Sequence, residues 1–166
     1  MRLNLGAADR RVEGFISVDI AGPADQIVDL AGPWPWPDSG VDEVLAYSVF
    51  EHLPNKLHTM NELWRVLKPG GIARLQLPHA TQGDGGHCDP THRSYWTTSD
   101  FEYYHPGIAE YERFHESYGV KACFRVLNLD ERGHIPMAKY QRTFGGFVVE
   151  FDVVLGCVKD TIWPTA

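Results

Sequence analysis

The stretch LNLGAADRRVEGFISVDI, Leu3 to Ile20, decides how the rest of the chain is read. An apolar strand runs into a glycine loop, and a second strand ends on an acid, Asp19, as in a nucleotide-binding βαβ unit. The loop departs from a dinucleotide fingerprint in two ways. Ala8 stands where that fingerprint has its second glycine, the residue that lets the backbone approach a pyrophosphate. Asp19 also follows Gly6 more closely than the roughly 20 residues of the dinucleotide spacing. Only Gly6 to Gly14 separate the two strands, whereas a parallel crossover normally takes about a dozen residues or more. Either the crossover is abridged to a loop or short turn, or the two strands pair differently, and the loop suits a ligand that carries no phosphate.

Working outward, Gln26–Leu30 reads as a third strand and GPWPWPDSG (Gly32–Gly40) as a loop, since its prolines bar helix and strand alike. Val44–Tyr47 reads as a buried strand. Asn55 to Leu67 is the clearest helix, with Leu57, Met60, Leu63, Trp64 and Leu67 on one apolar face. It stops at KPGG, where Pro69 and Gly70 fit the centre of a type II turn, and Ile72–Leu77 follows as a strand. Ser99 and Glu102 are spaced as a capping box, which predicts a short helix from Asp100. Tyr111–Tyr118 is assigned as helix, and Cys123–Leu129 and Phe147–Leu155 as strands close enough in sequence to form an antiparallel edge. The second of these alternates Phe147, Val149, Phe151, Val153 and Leu155 against Glu150 and Asp152. Strands alternating with helices predict a parallel α/β sheet.

The 166 residues are long enough for one domain with a sizeable core, and no internal repeat or linker divides them. The net charge of −7 and the lack of a basic run argue against a nucleic-acid partner and for a small-molecule substrate. Cys88, Cys123 and Cys157 lie far apart without CxxC spacing, as in reduced intracellular proteins. The first strand begins at Leu3, which leaves no room for a leader, and no apolar run reaches the length of a membrane span. A soluble cytoplasmic protein is expected.

Four stretches taken in order carry a family resemblance: LNLGAADRRVEGFISVDI, DLAGPWPWPDSGVDEVLAYSVFEHLP, LHTMNELWRVLKPGGIARLQLPHA and DPTHRSYWTTSDF. Together they resemble the class I S-adenosylmethionine (SAM)-dependent methyltransferases, in their small type 11-like branch. EHLP followed by ELWRVLKPGG is the most specific part. The resemblance runs from Leu3 to about Tyr104. It implies a Rossmann-like mixed sheet of seven strands in the order 3-2-1-4-5-7-6, here with the first crossover helix abridged. It implies SAM as cofactor and methyl transfer to an acceptor, with a small molecule the expected partner. It also implies cofactor contacts at Leu5, Gly6 and Ala7 in the loop, at Asp19 and Ile20 near the ribose, at Asp29 and Leu30 beside the adenine, and at Ser48 and Val49 beside the methionine portion. SAM has a carboxylate, an ammonium and a sulfonium but no phosphate, and so fits the reduced loop. The N-terminal helix that covers the cofactor in larger relatives has no counterpart, so a homo-oligomer that lends such a cover stays open.

The acceptor side is less legible. His52, in the EHL motif, has the imidazole of a near-neutral base, or else a hydrogen bond that holds its loop. His79 and His92 match family positions in PHA…DPTH, and with His52 they are the catalytic candidates. Residues 78–118 are expected to act as a lid over the acceptor, in which Asp89-Pro90 turns His92 and Tyr95 toward the site. Trp96, Phe101, Tyr103 and Tyr104 are core or lid residues, one of which could face the sulfonium. His79, His87, Cys88, Asp89 and His92 show no metal-ligand spacing, and no metal is expected. Two further readings stay open, a catalytically silent SAM-binding or adaptor domain and, behind it, a metal-binding interaction module. A nicotinamide oxidoreductase fits worst.

Overall fold

A computed structural model describes residues 1–83, 86–136 and 147–159, with the side chains of 82, 83, 131–136 and 147–151 outside the description. Its strands are β1 (Arg2–Leu5), β2 (Ile16–Asp19), β3 (Gln26–Ile27), β4 (Val41–Tyr47), β5 (Leu67–Gly83), β6 (Phe124–Pro136) and β7 (Phe147–Cys157). Helix α1 (Lys56–Val66) joins β4 to β5, and helix α2 (Ala109–Tyr118) lies between β5 and β6. Short 3-10 turns occupy Phe50–His52 and Thr98–Tyr104.

The described strands form one seven-stranded sheet in the order β3-β2-β1-β4-β5-β7-β6, as the family resemblance implies. Strands β1 to β5 pair in parallel, and β7 runs antiparallel between β5 and β6. The crossover between β1 and β2 contains no helix, yet the strands are parallel, with Leu3 opposite Ile16 and Leu5 opposite Val18. Side chains do the work a helix would do. Asn4 donates from Nδ2 to the Arg10 carbonyl at 2.7 Å. Arg11 reaches Asp25, whose other oxygen accepts from both the amide and the hydroxyl of Ser17.

Several boundaries differ from the sequence reading. Strand β3 ends at Ile27 rather than Leu30, because Asp29 Oδ1 accepts from the Ala31 amide and turns the chain. Strand β4 begins at Val41, and β5 extends from Leu67 through KPGG, with Gly70 at φ 74° as the type II turn requires. The capping box is formed by Thr97 and Asp100 instead of Ser99 and Glu102, so the turn starts two residues early, as 3-10 rather than α. Val153 and Leu155 are buried on β7 as the alternation predicts, while Phe147, Val149 and Phe151 lie outside the described side chains.

Helix α1 starts at the Asn55 cap, which accepts from the His58 amide, and buries Met60, Leu63 and Val66 in the main core with Leu3, Leu5, Val18, Val44 and Leu75. It also organises both flanking loops. Asn61 takes the Lys121 and Ala122 amides and donates to Gly119. Arg65 donates to the carbonyls of Trp34 and Trp36 and to Glu62 and Asp38, and so pins the proline-rich loop. Trp34 and Trp36 are buried within that loop, edge to face at 5.8 Å.

Candidate functional site

Open α/β sheets bind ligands at the carboxyl ends of their strands, where the strand order reverses. Here the reversal lies between β1 and β4, and a crevice of about 480 Å³ opens beside it. Gly6, Asp19, Ile20, Asp29, Leu30, Ser48 and Val49 all line it, joined by His52, Leu53, Pro54 and Arg93. Seven of the nine residues assigned to the cofactor from sequence therefore meet in one cavity. Leu5 and Ala7 do not line it: both are buried, at 1% and 2% exposure, and belong to the packing beneath the loop.

The loop itself is tightly specified. Gly6 has φ 59°, and a Cβ there would lie 2.2 Å from Val49 Cγ2, so only glycine lets the β1 and β4 ends approach this closely. Ala8 and Ser48 also take positive φ, at 46° and 56°, a conformation uncommon outside glycine and concentrated at functional sites. Asp19 holds the loop from the β2 side: Oδ2 accepts from the Ala8 amide at 2.8 Å and Oδ1 from the Ile20 amide at 2.7 Å. Oδ1 also accepts a longer bond from the Ala21 amide at 3.4 Å, so it is Oδ2 that keeps a further lone pair for a ligand hydroxyl. Asp29 has one oxygen committed to the Ala31 turn while its side of the crevice stays lined by Leu30. No helix lies between β1 and β2, so no helix N-terminus faces the crevice from the loop that would hold a pyrophosphate.

The histidines divide. His52 is on the crevice wall, at the end of the 3-10 turn that follows β4. His92 packs against it with ring centroids 5.0 Å apart, its side chain 7% exposed. His79 is buried away from the crevice on β5, where its Nδ1 meets Thr81 and its backbone bridges to Trp96. His87 is exposed and stacks on Tyr95 at 4.3 Å. The residues of the His79–His92 stretch thus point to different places, and the chemistry-bearing cluster is Glu51, His52 and His92. Sequence reading matched Glu51 to the EHL motif without giving it a role, although its side chain is buried, and it passed over Arg93, which lines the crevice. The amides of Arg93 and Ser94 both donate to the Glu51 carbonyl, which draws residues far apart in sequence into one wall. The aromatic residues of this segment behave as core: Trp96, Phe101 and Tyr104 are buried, and Trp96 packs between Phe50 and Phe101.

Comparison with known proteins agrees with this architecture. The Methyltransf_11 family, described as a methyltransferase domain, matches residues 15–75. A protein of Mycolicibacterium smegmatis named "Probable S-adenosylmethionine-dependent methyltransferase" is 36% identical over 56 residues, 34% of this chain and 22% of its own length. An "Uncharacterized methyltransferase" of Mycobacterium sp. (strain KMS) is 39% identical over 72 residues, 40% of this chain and 29% of that protein. The matches thus span under a third of these curated relatives. A solved SAM-dependent methyltransferase from Archaeoglobus fulgidus superimposes with a TM-score of 0.63 at 14% identity, over 93% of this chain and 85% of that one. At that identity the likeness is one of fold.

Proposed function

We propose that this chain, a class I SAM-dependent methyltransferase by sheet order and sequence match, binds SAM in the β1–β4 crevice and transfers its methyl group to a small-molecule acceptor. The observation that carries the reading is the convergence of Gly6, Asp19, Asp29, Leu30, Ser48 and Val49 on one cavity at the strand ends. The fit favours SAM over a dinucleotide at the loop, where no helix between β1 and β2 offers its N-terminus to a pyrophosphate, while Asp19 suits the ribose hydroxyls.

When bound, SAM supplies a methyl group already activated by its sulfonium. The chain's own task is to hold an acceptor atom about 3 Å from that methyl carbon and in line with the sulfur. Gly6 and Ser48 give backbone access to the amino-acid end, and Leu30 and Val49 offer apolar contact. Arg93 provides a cation on a wall otherwise charged by Asp19 and Asp29, suited to a carboxylate. His52 and His92 stand on the acceptor side, and Arg93 lines the crevice from a segment that Trp96 anchors in the core. His79 acts from within the core by holding the end of β5 beside that segment.

Calorimetric titration with SAM and its demethylated product tests the binding, and tritium transfer from methyl-labelled SAM tests the chemistry. Asp19→Ala removes charge-assisted hydrogen bonds worth roughly 1.5–3 kcal/mol each, so both ligands should bind at least about tenfold more weakly. A silent binding domain gives the titration without the transfer. Failure of SAM to bind the wild-type chain overturns the reading altogether.

A further inference from the structure

Ligand spacing in the sequence offers no metal site, yet the fold brings three ligand-type side chains together. We propose that Glu51, His52 and His92 hold a divalent first-row metal ion, zinc in class, at the acceptor-side wall of the crevice. One ligand atom from each residue lies within 4.8 Å of the other two. Two imidazoles and one carboxylate are a donor set that binds zinc and related ions and leaves coordination positions open.

The surroundings orient these ligands as metal sites require. His92 Nδ1 is 3.0 Å from the Gly86 carbonyl, which can only accept, so Nδ1 carries the proton and Nε2 the lone pair. His52 Nδ1 is 3.2 Å from Thr91 Oγ1 and 3.4 Å from the Thr91 carbonyl. The Thr91 hydroxyl already donates to Asp89 Oδ1 at 2.6 Å, so toward His52 it accepts. His52 therefore also keeps the lone pair on Nε2. Imidazole N–H groups tied back to oxygen acceptors are the usual outer support of metal-bound histidine.

The carboxylate and the frame complete the argument. Glu51 is 2% exposed, and a carboxylate taken out of water at that depth is stabilised by a cation beside it. Its backbone carbonyl accepts from the amides of Arg93 and Ser94, and Ser94 Oγ donates to the Phe50 carbonyl, so the two segments that carry the ligands are stitched together. Asp89 Oδ2, 3.8 Å from His92 Nε2, adds an outer negative charge. Metal–ligand bonds of about 2.0–2.2 Å set ligand atoms closer together than 4.8 Å, so uptake of the ion draws the three side chains together.

The position of His52 on the crevice wall gives the ion a role, which rests on the methyltransferase reading. An acceptor hydroxyl bound at an open position would lose its proton to solvent at neutral pH. Its oxygen would then form the bond to the methyl carbon as the carbon–sulfonium bond breaks and leaves a neutral thioether. The acceptor class is a small molecule with a hydroxyl that can coordinate the ion.

The test is binding of zinc alone, read by competition with a chromogenic chelator on chelator-stripped protein, with visible absorption of the cobalt-substituted form as the spectroscopic readout. Wild type should take up about one equivalent and show tetrahedral or five-coordinate cobalt bands. His52→Ala and His92→Ala should each lose affinity at least about tenfold and lose those bands, while His87→Ala keeps both. Glu51→Gln serves as a third variant where it folds. Uptake well below one equivalent by wild type, or unchanged binding in both His52→Ala and His92→Ala, overturns the proposal. SAM titration of the same samples keeps the two readings apart, since loss of SAM binding by wild type would sink the methyltransferase reading and leave the metal result standing.

Discussion

Replacing Gly6 by alanine should damage stability and cofactor binding together. The new Cβ would lie 2.2 Å from Val49 Cγ2, 3.2 Å from Cγ1 and 3.3 Å from Cβ, so turning the valine about χ1 only exchanges one crowded contact for another. The backbone adds its own strain, because φ 59° places a methyl group in the left-handed region at about 1–2 kcal/mol. Overpacking of a buried contact costs about 1–3 kcal/mol more. The sum, about 2–5 kcal/mol, is a large share of a typical domain's 5–15 kcal/mol. Urea unfolding of Gly6→Ala should show a clearly lower midpoint, and calorimetry should show SAM affinity reduced more than about tenfold. Adding Val49→Ala removes the two γ-carbon contacts and leaves the backbone strain, so the double-mutant cycle should give a favourable coupling of about 1 kcal/mol or more. An unchanged midpoint in Gly6→Ala, or strict additivity in the cycle, would refute the close approach of the β1 and β4 ends.

Three further outcomes are expected. The Ser17 amide, then the Ser17 hydroxyl and Arg11, lower the Asp25 carboxyl to about 2 from an ordinary 3.8, so the stability it contributes is complete above about pH 4 and fades as pH falls toward 2. Asp25→Asn should flatten that part of an acid-unfolding curve, and an identical pH profile would contradict the assignment. Arg65→Ala leaves the Trp34 and Trp36 carbonyls and Glu62 without their shared donor, and should cost about 2–4 kcal/mol in chemical unfolding, with a blue or red shift in tryptophan emission as the loop loosens. Burial pushes the Cys157 thiol up to about 12 while Cys88 is exposed, so a thiol reagent should label Cys88 quickly and reach Cys157 only on unfolding. Persistence of the fast phase when both Cys88 and Cys123, the latter partly exposed, are replaced by serine would show that the packing around Cys157 is misjudged.

What the amino-acid sequence alone determined is local. The Gly6 turn, the acid that ends β2, the apolar face of α1 and the Gly70 turn depend on residues within a few positions of each other, and each is recognisable as a short pattern. The sheet order could be read as well, because the ordered motifs resemble a family whose order is known. Choices between equal local patterns were made by tertiary contacts. Thr97 with Asp100 and Ser99 with Glu102 both fit a capping box, and the first prevails where Asp100 also meets Lys56 on α1 and the neighbouring Trp96 is buried. The acceptor wall was hidden for the same reason. Glu51 and His52 meet His92 and Arg93 only because backbone bonds to the Glu51 carbonyl close a long loop, and no periodicity in a sequence records a hydrogen bond across that distance.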